Sequence, residues 1–383
     1  MESLPREVAV DILSRLPIAS ILQAKLVCRS WRNLAQDPLL LRMHFSGTAD
    51  ENPCLVLHSD HPIRNQLRTV QFSADDENIE IVRGIDLPMM PEFDVVGSCN
   101  GFLCFCDSFY KNSLYVYNPC INSHKELPES ALYPNQDVIL GFGFHPMTKE
   151  FKVIRIIYYS RSRPGIFARR RFSRQQSEVQ ILTLGCKSWR SLGQLPYNHL
   201  IQPSCQVLFL GKLHWVSEPH RDNRGTRIIS FDLAEEQFQI VPTPESSSLD
   251  RSGFQLVVLG DCLSAAVWCL DGRLEIWVMK EYNVKESWIK DFNIDGSYVP
   301  RGLEQDVDIS FADSKFYLNS PLIRVLCLLM NGQILLEYKC RALVSYDPIR
   351  RTFKDIPHQG LPDWFLTVHV GSSLDWNDTL IGW

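Results

Sequence analysis

The chain has 383 residues, of which 45% are hydrophobic and 22% charged, and its formal net charge is −5. That composition is too apolar for general disorder, and the slight acidic excess argues against a general nucleic-acid binder. No apolar stretch approaches the ~20 residues of a membrane span. The opening Met1-Glu2-Ser3-Leu4-Pro5-Arg6 lacks the basic-then-apolar order of a secretory leader. A cytoplasmic or nuclear protein with no membrane partner is therefore expected, its 12 cysteines reduced thiols. Length alone, at roughly 150 residues per domain, suggests two or three domains.

The first 45 residues carry helical punctuation. Pro5 suits a helix start, where its missing N–H costs nothing. Val8, Ile12 and Leu16 then recur every four residues, and Leu13 widens the apolar stripe. Pro17 ends that helix, because the residue before a proline avoids helical geometry. A second short helix carries Ile21, Leu22 and Leu26, and a third carries Trp31 and Leu34. Pro38 opens a last one bearing Leu41 and Phe45. So short a unit buries little surface and normally needs disulfides, a metal or a partner. Cys28 is its only cysteine, so a partner is expected.

Beyond residue 50 the pattern turns to strands. Runs such as Phe102-Leu-Cys-Phe-Cys106, Phe151-Lys-Val-Ile-Arg-Ile-Ile-Tyr158 and Leu274-Glu-Ile-Trp-Val278 are rich in β-branched and aromatic residues. The pattern also repeats. Tyr117-Asn118-Pro119, Phe231-Asp232-Leu233 and Tyr346-Asp347-Pro348 each read as a strand ending in an Asx turn. A short outer strand follows and closes on Pro128, Pro242 or Pro357. Gly turns before apolar pairs recur at Asn100-Gly101, Gly211, Asp271-Gly272 and Asn331-Gly332. Units of roughly 35–60 residues with about four strands each describe a β-propeller. Six modules, beginning near residues 52, 93, 137, 204, 254 and 307, are favoured over seven. The Phe365–Val370 strand is expected to pair with the first module and close the ring.

Charge concentrates in one place. Six arginines and no acid lie between Arg161 and Arg174; removing those six positive charges from −5 leaves −11 on the rest of the chain. Pro164 and Gly165 break any regular element there, so a solvated connection is expected, with nuclear import or an acidic partner as functional readings. Catalytic signals are weak. The chain has no Gly-x-Ser-x-Gly elbow and no His-Glu-x-x-His. Gly141-Phe-Gly143 is half of a dinucleotide fingerprint that runs into Phe144-His145-Pro146, not a helix, and reads as a turn entering a strand. Cys99, Cys104 and Cys106 lack a fourth ligand at metal-site spacing, and His145, His214 and His369 read as packing or surface residues; no metal or cofactor is expected. Trp189, Trp215, Trp277 and Trp288 read as blade-packing residues.

These residues resemble a known family. Leu4-Pro5, Ile12-Leu13, Arg15-Leu16-Pro17, Ser20-Ile21-Leu22 and Leu26-Val27-Cys28-Arg29-Ser30-Trp31-Arg32 resemble an F-box. Gly97-Ser98-Cys99-Asn100-Gly101-Phe102, Tyr117-Asn118-Pro119, Gly141-Phe142-Gly143-Phe144, Ser188-Trp189-Arg190 and Ser287-Trp288-Ile289-Lys290 are similar to the F-box-associated interaction domain of plant F-box proteins. The resemblance implies a mainly β fold: an all-α F-box over 1–46, then a kelch-like β-propeller over 52–383. It implies a non-catalytic receptor in an SCF-type ubiquitin ligase, with a SKP-family adaptor, cullin and RING subunit on one side and a protein target on the other. Leu4, Pro5, Ile12, Leu13, Leu16, Pro17, Leu22, Val27, Cys28 and Trp31 would form or support the adaptor surface. Arg163, Arg169, Arg170 and Arg171 are candidates for an acidic or phosphorylated target. The alternatives are a kelch-like propeller enzyme that docks through its helices, and an F-box protein acting outside a ligase. Two departures stand out. Gln23-Ala24 replaces a basic and a larger residue, and His145 replaces an Asp, so that turn is expected to lack its side-chain cap.

Overall fold

The computed structural model describes residues 5–16, 24, 27–35, 40, 54–61, 65–72, 79–85, 92–118, 123–159, 176–197, 200–201, 207–217, 226–245, 254–300, 303, 323–357, 361–362 and 364–371. Helix α1 spans Arg6–Ser14, with Pro5 as its N-cap, and α2 spans Arg29–Ala35. α1 stops before Pro17: Arg15 and Leu16 turn back onto the carbonyls of Ile12 and Leu13, and Ser14 Oγ donates to the Asp11 carbonyl. Val10, Leu13 and Leu40 form the module's buried core, with Leu16, Trp31 and Leu34 packed around it.

Six four-stranded antiparallel blades follow, one of them with a split inner strand. Blade two is β4 (Phe93–Cys99), β5 (Phe102–Asp107), β6 (Leu114–Asn118) and β7 (Ser123–Glu126). Blade three is β8 (Asp137–His145), β9 (Glu150–Tyr159), β10 (Gln176–Thr183) and β11 (Arg190–Gly193). In blade four β12 (Leu200–Ile201) and β13 (Val207–Phe209) share the inner position beside β14 (Lys212–Ser217), then β15 (Ile228–Asp232) and β16 (Phe238–Val241). Blade five is β17 (Phe254–Leu259), β18 (Cys262–Trp268), β19 (Arg273–Met279) and β20 (Trp288–Asp295). Blade six is β21 (Ile323–Leu328), β22 (Ile334–Tyr338), β23 (Ala342–Asp347) and β24 (Thr352–Asp355). Blade one is β1 (Cys54–His61), β2 (Gln66–Phe72) and β3 (Ile79–Ile85), completed by β25 (Trp364–Gly371) as inner strand. The six-blade count and the closure by the final strand agree with the sequence reading; the sixth boundary near 307 lies outside the described residues.

Inner strands meet around the axis, with β25 against β4, β4 against β8, β13 against β17 and β21 against β25. Each pair of neighbouring blades encloses its own apolar core, because every strand presents alternate side chains to the two neighbours. Gly141 and Gly143 sit mid-strand in β8, not in a turn. A Cβ at Gly141 would stand 2.8 Å from the Trp215 ring and one at Gly143 2.7 Å from Leu233, so the missing side chains admit blade four.

The outer strands follow one another around the rim and are joined by aromatic residues. Trp189 Nε1 donates to the Pro128 carbonyl at 2.7 Å, and Trp288 Nε1 to the Pro242 carbonyl at 2.9 Å. Phe353 stacks on Tyr298 at 4.2 Å, and Tyr298 OH donates to Asp355. Pro128 and Pro242, which follow the outer strands of blades two and four, thus give their carbonyls to the next blade's indole. Trp215 is buried in the core between blades three and four, while Trp277 packs against the core between blades four and five.

Inner-strand bulges carry the closure. Leu326 is skipped between the Val325–Leu336 and Cys327–Leu335 pairs, and Val368 between Leu57–Thr367 and Val56–His369. The residue before each bulge gives its backbone polar groups to the preceding blade. Gln255 Nε2 donates to the Val325 carbonyl at 2.8 Å, and Val325 N–H donates to Gln255 Oε1 at 3.0 Å. At the closure Arg324 Nη2 donates to the Thr367 carbonyl at 3.1 Å, and Thr367 N–H donates to Glu337 Oε2 at 2.6 Å. Arg324 and Glu337 themselves pair at 2.7 Å, both buried.

Two of the three expected Asx turns form, with Asp232 Oδ1 accepting from Ala234 and Glu235 N–H, and Asp347 Oδ1 from Ile349 and Arg350; the turn after Asn118 lies outside the described residues. The Gly turns are not one repeated position: Asn100-Gly101, Gly211 and Asn331-Gly332 join first to second strands, whereas Asp271-Gly272 joins second to third. The expected loss of a cap at His145 is corrected, because Thr148 N–H donates to its Nδ1 at 3.2 Å.

Substitutions at two places test these contacts. Arg324→Met should lower stability in urea unfolding by about 3–5 kcal/mol, since it leaves Glu337 buried without its cation, and Arg324→Met with Glu337→Leu should recover part of that loss. His145→Asp should keep the wild-type melting temperature, while His145→Ala should cost roughly 0.5–1.5 kcal/mol in thermal unfolding.

Candidate docking surfaces

Helix α1 is apolar on two sides. Ala9, Val10 and Leu13 are buried against the module core. Val8 and Ile12, one turn apart, stay 42% exposed, and Val27 stays 66% exposed. The stripe read from the sequence as Val8, Ile12 and Leu16 is therefore not one packing surface: Leu16 touches the core and the other two do not. Four spacing makes both stripes, and the one covered is the one that packs with Leu40 and α2's Trp31 and Leu34.

The predicted adaptor residues divide accordingly. Pro5, Ile12, Val27 and Cys28 are exposed; Leu13 is fully buried; Leu16 and Trp31 are partly buried supports. Leu4, Pro17 and Leu22 lie outside the described residues, as does Gln23, whereas Ala24 is buried. Val8 was not among the predicted contacts, though its four-residue spacing to Ile12 was the available signal.

A matching domain now identifies the chain. An F-box-like domain matches residues 1–46, and the F-box associated beta propeller domain matches residues 60–333. The chain belongs to the F-box proteins with an F-box-associated β-propeller. An F-box protein of Arabidopsis thaliana is 47% identical over 99% of this chain and 93% of its own length. An F-box/kelch-repeat protein of the same plant is 28% identical over 77% of this chain and 80% of its own length.

Strand direction fixes the face at which the chain enters the propeller. β1 is a second strand, so the chain leaving the F-box reaches blade one on the face that carries the first-to-second-strand turns. The second-to-third-strand connections and the blade-to-blade connections lie on the opposite face. The arginine-rich segment joins β9 to β10 there; Arg163, Arg169, Arg170 and Arg171 themselves lie outside the described residues.

The other chemistry-bearing side chains are structural. Cys99, Cys104 and Cys106 are buried in the core between blades two and three, where burial raises their thiol pKa values, Cys106 to about 12, and keeps them neutral. Among the described residues no group of three His, Cys, Asp or Glu is placed to hold a metal ion. Lys152 donates to the Leu233 carbonyl at 2.7 Å and pairs with Glu236 at 2.9 Å, joining blades three and four. A groove of about 570 Å³ runs between Glu126–Glu129 and Gly185–Lys187; its Cys186 is exposed. The side chain of His369 is outside the description, and only its pairing with Val56 is seen.

His214 is buried between blades four and five, with Nε2 2.9 Å from Tyr282 OH, and burial lowers its pKa from 6.5 to about 4. Below pH 6.5 the unfolded chain binds a proton that the native chain refuses, so stability falls until about pH 4. His214→Gln should flatten the pH dependence of urea stability over that window, by as much as roughly 3 kcal/mol relative to wild type.

Proposed function

We propose that this protein is the substrate-recognition subunit of an SCF-type ubiquitin ligase, acting in the cytoplasm or nucleus. Its F-box binds a SKP-family adaptor, and through it the cullin and RING subunit. Its propeller holds a protein target. The observation that carries this reading is the second apolar stripe of α1: Val8 and Ile12 remain open on the helix whose other side packs Val10 and Leu13 into the module core. A module that leaves such side chains in water gains stability when a partner covers them, at ~25 cal/mol per Å². Pro5, Val27 and Cys28 extend that surface, Leu13, Leu16 and Trp31 hold its shape, and Leu4, Pro17 and Leu22 would add to it.

On this reading the protein performs no bond chemistry of its own. It raises the concentration of a target's lysines near a ubiquitin-charged enzyme, an effective-molarity contribution. The buried charges Lys152, Arg155, Arg324 and Glu337 support this, since each is engaged in contacts within or between blades. The arginine-rich segment leaves β9 after Tyr159 and rejoins β10 at Gln176, strand ends on the face opposite the chain's entry into blade one, and Arg163, Arg169, Arg170 and Arg171 within it would meet an acidic or phosphorylated target.

Ile12→Asp should weaken co-purification with a SKP-family adaptor by roughly ten- to thirtyfold while leaving propeller melting unchanged. Leu4→Ala with Pro5→Ala should weaken it in the same direction. Adaptor and cullin recovery equal to wild type in both variants would refute the assignment.

A further inference from the structure

Each blade's outer strand pairs on one side only, and five of the six carry a feature that deters a further strand. β3, β11 and β20 are bulged, since Glu80, Leu192 and Asp291 are each skipped in the pairing with the neighbouring strand. β7 and β24 are regular but charged, with Lys125 and Glu126 in one and Lys354 and Asp355 in the other. β16, which reads Phe238-Gln239-Ile240-Val241, has neither a bulge nor a charge. Its Ile240 is 46% exposed.

The ladder fixes which backbone groups that edge leaves open. Asp232 N–H donates to the Gln237 carbonyl at 3.0 Å, and the pairs Ser230–Gln239 and Ile228–Val241 share the phase of that bonded pair. On the other side of β15, Ser217 N–H donates to the Arg227 carbonyl at 2.9 Å, which gives the same alternation. Phe231–Phe238 and Ile229–Ile240 are therefore the non-bonded pairs, and the N–H and C=O groups of Phe238 and Ile240 point away from β15. Neither residue gives these groups to another backbone group among the described residues. The open row ends at Pro242, which has no N–H and whose carbonyl is taken by Trp288.

Packing holds this edge in place. The Phe238 ring lies 4.7 Å from that of Phe231 and 6.5 Å from that of Tyr197, against the core between blades three and four. Ile240, two residues on, shares that face and leaves it open to solvent. The edge therefore offers paired donors and acceptors at alternate residues, with an uncharged apolar side chain beside them. Only an extended backbone can meet such a row, because a helix uses its own N–H and C=O groups internally. A charged side chain opposite Ile240 would find no counter-charge on β16.

We propose that β16 is a strand-addition site, where an extended segment of another protein, apolar at alternate positions, joins blade four as a further outer strand. The backbone of the segment bonds Phe238 and Ile240, and its apolar side chains cover Ile240. Such a site is independent of whether the F-box engages an adaptor.

The test pans the purified full chain against a phage library of random dodecapeptides. Enriched peptides should alternate apolar with neutral polar residues, and a synthetic copy should slow hydrogen exchange across Phe238–Val241. Ile240→Lys places a charge on the edge at an exposed position. Ile240→Pro removes the outward N–H and leaves the bonds of Gln239 and Val241 to β15 in place. Both variants should bind the peptide at least about tenfold more weakly while keeping the wild-type melting temperature, and Ile240→Val should bind as wild type does. If Ile240→Pro fails to fold, Ile240→Lys alone decides. No enrichment, enrichment of charged peptides without the alternation, exchange protection confined to other segments, or wild-type affinity in Ile240→Lys would overturn the proposal. So would a wild-type dimer in sedimentation equilibrium that Ile240→Lys makes monomeric, since the occupant would then be a second copy of this chain.

Discussion

A propeller must be closed, and here closure converges on the backbone of Thr367. The bulge at Val368 interrupts the ladder between β25 and β1, and Glu337 and Arg324 of blade six take up the N–H and C=O of Thr367. The two side chains also form a buried ion pair. Such a pair contributes little net stability compared with apolar replacements, but each charge is costly without the other. It therefore acts as a latch with a fixed register: a slip of β25 by one residue would strand two buried charges as well as invert the strand's faces. Blade five grips blade six by the same device, with the neutral amide of Gln255 on Val325.

Around that closed inner ring, the outer rim is held more loosely, by contacts that neighbouring blades can make one at a time. Trp189 on Pro128 and Trp288 on Pro242 each use an indole N–H to satisfy a carbonyl at the end of the preceding outer strand. The rigid scaffold frees its connections to vary, which is how a repeat fold supports recognition without altering its core. The F-box stands apart from this economy. Among the described residues its core gathers Val10, Leu13 and Leu40, while Val8, Ile12 and Val27 face solvent, so a partner that covers them would add to its stability.

Much of this was legible in residue order. Blade boundaries at Phe93, Asp137 and Phe254 were marked by the return of apolar runs after proline, and the Asx turns at Asp232 and Asp347 by side chains that bond to nearby N–H groups. Other readings failed for local reasons. Gly141-Phe-Gly143 looked like a turn because glycine usually marks one, but the deciding fact was the Trp215 ring lying where a Cβ would be. His145 seemed to lack capping ability, yet an imidazole nitrogen accepts a backbone N–H as an aspartate oxygen does. Asp271-Gly272 matched the other Gly turns in composition while occupying a different hairpin.

The sequence by itself determined the helix α1 and the strand character of the blades, the F-box and propeller division, the six-part repeat and the closing strand, because periodicity and turn chemistry act over a few residues. It also held the apolar positions of α1. Which of them face inward was decided only in three dimensions, by where α2 and Leu40 lie against the helix. The same holds for the turn between β5 and β6, where Asp107 and Gln136, from separate segments, bond the backbone of Tyr110 while its side chain stays in solvent. Local rules write the elements; burial and long-range hydrogen bonding choose the faces.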